Sequence, residues 1–204
     1  MKKKQLISLF TAAAATVCLL TACQSSAPSP SADPEPLSAE EVAQLQKSEY
    51  PLSSGSANAS FAQYELTDFV DGAHVPVYGE WTGEATDRDD FFHVPFKVLH
   101  DPTGKYEEGT EMALYSHSAA RGLVPIGEPG ERFVAFMQDC DEENQDASDL
   151  HRVFFLDAGF YYVTDDGHVI AAYEESDAFR HSGEGLATLL EAYETLLESS
   201  ADAQ

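Results

Sequence analysis

Between Val75 and Tyr173 the chain alternates apolar and polar residues with period two, in short bursts punctuated by Gly, Pro and Asp, and that pattern leaves little open to it but antiparallel β structure. Val75, Val77, Gly79 and Trp81 alternate with His74, Pro76, Tyr78 and Glu80. Phe92, Val94, Phe96 and Val98 then alternate with His93, Pro95 and Lys97; Pro95 has no N–H to give a ladder, which places that strand at an edge or at a bulge. Further strands are expected over 111–117, 132–138, 152–156 with 160–164 around Ala158-Gly159, and 168–173, with Asp165-Asp166-Gly167 as a hairpin turn. Beyond Ser182-Gly183 the period changes to that of a helix. Leu186, Leu189, Leu190, Tyr193, Leu196 and Leu197 form one apolar stripe, with Glu184, Glu191, Glu194 and Glu198 off it. A mainly β fold follows: a small antiparallel barrel or strongly curved sheet of five to six strands, with this C-terminal amphipathic helix packed on it.

The N-terminus carries a different message. Lys2, Lys3 and Lys4 precede an apolar run from Leu6 to Leu20, the layout of a secretory signal, and the run is short of the roughly 20 residues a spanning helix needs. Leu20-Thr21-Ala22-Cys23 resembles the lipobox of bacterial lipoproteins. That resemblance implies that Cys23 becomes the first residue of the mature chain and receives acyl chains such as palmitate. It also implies a domain held on the extracytoplasmic face of the cell membrane. Two chains suffice for stable attachment, since burial is worth ~0.8 kcal/mol per CH₂ and one chain is marginal. The organisation expected is a signal peptide over 1–22, a Ser/Ala/Pro-rich tether over 23–37, a short helix with a flexible linker over 38–59, and one barrel-like domain with its C-terminal helix over 60–200. Capping signals at Ser38-Ala39-Glu40-Glu41 and Ser60-Phe61-Ala62-Gln63 open the short helices.

Lys and Arg number 11 against 36 Asp and Glu, a net charge of −25, and three of those cations lie in the signal. Nucleic acid is excluded as a partner, because binding phosphates needs a basic face. Anionic headgroups repel such a domain, so contact with the membrane is left to the lipid. Cys18 departs with the signal, and an acylated Cys23 leaves Cys140 without a partner, so no internal disulfide forms. Asp139, Asp141 and Glu142 oppose a thiolate at Cys140, which reads as unreactive.

Four stretches carry a second resemblance: Val75-Pro76-Val77-Tyr78-Gly79-Glu80; Phe92-His93-Val94-Pro95-Phe96-Lys97-Val98; Gly104-Lys105-Tyr106-Glu107-Glu108-Gly109-Thr110; and Glu128-Pro129-Gly130-Glu131-Arg132-Phe133-Val134-Ala135-Phe136. In that order they are similar to small secreted or lipoprotein domains of bacteria with an OB-like barrel. Phe133 stands where those domains have Tyr. The resemblance covers roughly 73–173 and implies a fold rather than an activity.

Three constellations carry side chains capable of chemistry. The loop from Asp139 offers Asp139, Asp141, Glu143 and Asp146 as candidate calcium ligands, without the Gly or the terminal Glu of an EF-hand; a solvated acidic loop is the favoured reading. His74, His93, His117, His151 and His168 form no paired zinc motif. Ser116 and His117 are neighbours on a strand and point to opposite faces, and there is no nucleophile elbow, so no catalytic residue is assigned, no cofactor is expected and the chain is not read as an enzyme. Tyr78, Phe91, Tyr115 and Tyr161 lie opposite the expected core and form a candidate contact surface. The expectation is a membrane-anchored extracytoplasmic lipoprotein serving as a binding or adaptor module for a protein, peptide or glycan of the cell envelope. The alternative is a calcium- or zinc-handling protein or enzyme built on clustered histidines and acids.

Overall fold

The computed structural model describes residues 33–52, 66–71, 74–122, 124–140, 150–173 and 180–201. Its elements are α1 (Ala39–Ser48), α2 (Leu66–Asp71), β1 (Val75–Trp81), β2 (Thr86–Arg88), β3 (Phe91–His100), β4 (Glu111–His117), β5 (Arg132–Asp139), β6 (His151–Val163), β7 (Val169–Ala171) and α3 (Leu186–Ala201). The signal, Cys23 and the tether to residue 32 lie outside the described residues, as do the linker over 53–59, the capping signal at Ser60, and Asp141, Glu143 and Asp146.

Five strands close on themselves in the order β1-β5-β6-β4-β3, with β3 returning to pair with β1. All neighbours are antiparallel except β4 and β6, which run parallel over Met112 to Leu114. This is the expected OB-like barrel, mainly β and topped by a C-terminal helix. β2 is an addition on β3, and β7 an addition on β6. β3 is long because it serves two partners along one side: Phe91 to His93 pair with β2, and Phe96 to His100 pair with β1. Pro95 falls in the gap between the two ladders, where its missing N–H breaks neither, and its carbonyl accepts from the Thr82 amide at 3.0 Å. Pro95 therefore marks a change of partner on a strand with neighbours on both sides, not an edge.

The barrel interior is aromatic. Trp81 stacks on Phe133 with centroids 4.2 Å apart, Phe133 stacks on Phe160 at 5.5 Å, and Phe96 stands edge-on to both Trp81 and Phe133. Val77, Phe92, Val94, Val98 and Leu114 complete the same fully buried core. A second core lies on the outer side of the wall, where Tyr78, Val134, Phe136 and Tyr161 meet Phe69 of α2 and Leu186, Leu189, Leu190 and Tyr193 of α3. A buried side chain of this size contributes ~1.5–3 kcal/mol, so four from one helix make α3 part of the core rather than a free interaction helix.

The N-terminal segment docks onto the same structure. Ser38 and Glu41 form the expected capping box at the start of α1. Just before it, the Leu37 amide donates to the Gly183 carbonyl at 2.8 Å. Gln46 donates to the Ala171 carbonyl at 3.2 Å, and the Tyr162 hydroxyl donates to the Pro51 carbonyl at 3.1 Å. Asp33 accepts from the Ala187 amide at 2.8 Å and from the Thr188 amide, taking up orphan donors at the head of α3. Glycine permits this approach: a Cβ at Gly185 would fall 2.2 Å from the Asp33 carboxyl carbon, and one at Gly183 would fall 2.7 Å from Val42. Sequence patterning puts 33–37 in a tether and the helix before the domain, yet both are part of it.

Candidate functional site

Strand register sets the outer face of β3, β4 and β6. Core positions on β3 and β4 are Phe92, Val94, Phe96, Met112 and Leu114, so Phe91, His93, Pro95, Ala113, Tyr115 and His117 point outward, in the rows Phe91 with His117, His93 with Tyr115 and Pro95 with Ala113. On β6, Val153 enters the core, so Arg152 and Phe154 join the outer face.

Tyr115, itself only 6% exposed, is the packed centre of this face. Phe91 stacks on it at 4.5 Å, His93 meets it edge-on at 5.2 Å, Phe154 tilts against it at 5.6 Å, and the Arg152 guanidinium lies over its ring at 5.6 Å. His117 continues the group, edge-on to Phe91 at 5.3 Å. Among the described residues Phe154 is the one large apolar side chain open to solvent, at 37% exposure, and its neighbours turn a single exposed ring into the lip of an aromatic platform. Burial pushes the Tyr115 hydroxyl above its ordinary value, only partly offset by Arg152.

A cleft of about 300 Å³ opens beside the platform, lined by Thr86, Arg88, His93, Pro95, Ala113 and Leu150. One wall is β2, pinned by Arg121, which pairs with Asp87 at 2.5 Å and donates to the Ala85 carbonyl at 3.2 Å. Arg88, His93 and His117 thus lie around one surface of an otherwise acidic protein, while Arg121 is paired with Asp87, which also lines the cleft, and Arg152 is buried at 8% exposure. The rings of Phe91 and Phe154 flanked by the imidazoles of His93 and His117 suit a flat, polar partner.

Of the aromatic residues picked out by the sequence, Phe91 and Tyr115 come together here. Tyr78 and Tyr161 do not: they are 2% and 0% exposed beneath α3, and burial holds the Tyr161 hydroxyl well above 10. They are correctly described as second-core residues, because this side of β1, β5 and β6 is roofed by helices. Sequence reasoning missed Phe154 and Arg152 as members of the face, although both fall on the polar phase of a predicted strand.

Asp139 has a different employment from a metal ligand. Its carboxylate accepts from the Tyr106 hydroxyl at 2.7 Å, His151 Nε2 at 2.8 Å and Lys105 Nζ at 2.9 Å. Burial pushes this carboxyl up, but the bonds from His151, Lys105 and Tyr106 outweigh it and hold the group at about 2. A carboxylate already neutralised by lysine is a poor cation ligand. Asp141, Glu143 and Asp146 lie outside the described residues, among which no group of three or more His, Cys, Asp or Glu is placed to hold a metal. Apart from His93 and His117 on the outer face, the histidines are dispersed: His151 serves Asp139, while His168 sits between Asp166 and the Glu35 carbonyl. Burial lowers the affinity of His74 for a proton. Ser116 pairs with core-facing Phe92 and points away from His117. Cys140 is buried.

No protein-family model matches the chain, and no curated protein matches it either.

Proposed function

We propose that this is a lipid-anchored binding module on the extracytoplasmic face of the cell membrane. It engages a protein, peptide or glycan of the cell envelope through the outer face of β3, β4 and β6. The observation that carries the reading is the exposed ring of Phe154, set with Phe91 against the buried Tyr115 and Arg152, next to a cleft. The anchor is the lipobox cysteine, Cys23. Ten residue steps separate Cys23 from the docked Asp33, a reach of at most about 35 Å when fully extended, which keeps the barrel close to the membrane.

Two experiments test it. Cys23→Ser should move the protein from the membrane fraction to the soluble fraction; retention in the membrane would remove the anchor from the account. A photoreactive residue at Phe154, compared with one at Glu194 on α3, should give a discrete adduct in intact cells from position 154 alone, lost when Tyr115→Ala is added. Equal labelling from both positions would remove the face from the account.

A further inference from the structure

Docking of the N-terminal segment creates a groove that the aromatic face does not share. It lies between α1 and the β6–β7 hairpin and encloses about 580 Å³, well within the range of small-molecule pockets. Its apolar surface comes from Leu37, Leu45 and Tyr50, and its polar surface from Glu41, Glu49, Asp165 and Asp166 together with Gln44, Thr164 and His168. The groove is therefore an apolar concavity with anionic sides, and the two properties together specify a ligand class.

The carboxylates divide into two kinds. Glu41 is committed to the capping box, accepting from the Ser38 amide at 2.8 Å and the Ser38 hydroxyl at 2.6 Å. Asp166 is committed to the hairpin, accepting from Thr164 Oγ1 at 2.6 Å and His168 Nδ1 at 3.0 Å. Glu49 makes no side-chain hydrogen bond or ion pair among the described residues, and Asp165 meets Arg132 only at 3.4 Å while its side chain stays fully exposed. Glu49 is thus open to a ligand, and Asp165 keeps its second oxygen for one beside the Arg132 pair. Tyr50 senses the field of both: burial raises its hydroxyl first, and Glu49, Asp165, Glu131 and Asp166 each raise it further. Its ring also offers a face to a cation.

We propose that the groove between α1 and the β6–β7 hairpin binds a small organic primary amine, its ammonium held by Glu49 and Asp165 and its apolar body laid along Leu37, Leu45 and Tyr50. An anionic ligand is opposed by the open carboxylates of Glu49 and Asp165, while His168, the cationic group in the lining, is already held by Asp166 and the Glu35 carbonyl. A bare metal ion is not favoured, because it would leave the apolar surface unused and no set of three ligands converges among the described residues. A neutral apolar ligand would leave the two open carboxylates unmatched.

The test is calorimetric titration of hexan-1-amine into the intact chain at neutral pH. The expected result is a one-site isotherm that weakens as sodium chloride is raised, with hexan-1-ol, the same body without the charge, unable to displace the amine. Glu49→Gln and Asp165→Asn should each weaken binding about two- to fivefold, the range of an exposed ion pair. Both side chains are exposed, so an unchanged melting temperature is the accompanying control. Displacement by hexan-1-ol, wild-type affinity in the double variant, or absence of a saturable isotherm would each overturn the proposal. The alcohol competition needs no variant and decides the matter even if the substitutions disturb folding.

Discussion

The ring of Phe133 lies so close to the backbone of Gly79 that a Cβ at residue 79 would fall 2.7 Å from its Cζ. The two are register partners on β1 and β5, and the β1 ladder shifts between Tyr78 and Gly79. Phe133 cannot retreat, because Trp81 stacks on it at 4.2 Å and Phe160 at 5.5 Å. Gly79→Ala is expected to destabilise the protein by about 1–3 kcal/mol through overpacking, read as a lower urea midpoint. In a Phe133→Leu background the same substitution should cost less, and strict additivity would count against the contact.

Asp139 ties the end of β5 to the loop before β4. Its carboxyl is lowered from 3.8 to about 2, so its contribution is present above the unfolded value and is lost as pH falls through about 4 toward 2. The side chain is 40% exposed, which discounts that contribution to about 1 kcal/mol. Asp139→Asn should be less stable than wild type at pH 6 in urea unfolding, and the gap should close near pH 2. A gap of equal size at both pH values would show that packing, not charge, is responsible.

His168 fastens the N-terminal segment. Nδ1 faces Asp166 at 3.0 Å and Nε2 faces the Glu35 carbonyl at 3.0 Å, so both nitrogens donate and the imidazolium is the form that fits. Burial opposes the charged form, but the bonds to Glu35 and Asp166, with the fields of Asp166 and Asp33, raise its proton affinity above the ordinary 6.5. A raised value gives stability that is complete below 6.5 and is lost as pH rises through the folded-state value. Hydrogen-exchange protection factors over 33–48, which divide out intrinsic pH dependence, should fall across that window. His168→Gln should abolish the step.

Asp33 caps α3 from far away in the chain, bonding the Ala187 and Thr188 amides. Asp33→Ala is expected to cost about 0.5–2 kcal/mol, and Asp33→Asn much less, measured by thermal unfolding. Equal losses in the two variants would remove capping as the cause.

Which parts of this were legible in the sequence follows from what alternation encodes. β1 and β4 appear with the expected bounds because each has one phase that enters the barrel. β2 was invisible: all three of its residues are exposed, so no apolar phase marks it, and it pairs with the part of β3 that β1 does not reach. Tyr78 and Tyr161 were assigned to solvent because a period of two says that the faces differ, not which face a helix will cover. The parallel pairing of β4 with β6 joins segments whose register no local pattern records. Half of the aromatic face was readable, in Phe91 and Tyr115, but its assembly with Phe154 and Arg152 depends on that long-range pairing. The groove was unreadable, since one wall comes from a segment that looks like linker and is recruited by Gly183 and Gly185.

The strap that begins at Asp33 also sets an order of events. It is made first, yet its seats are His168, Gly183, Ala187 and Thr188, near the end of the chain. Until those residues exist there is nothing for it to hold, and joining Asp33 to Ala187 spans 154 positions, an entropic cost that only an assembled barrel can offset. The earliest-made part of the fold thus has no seat until the chain has been made through Thr188, and the groove it completes is absent until then.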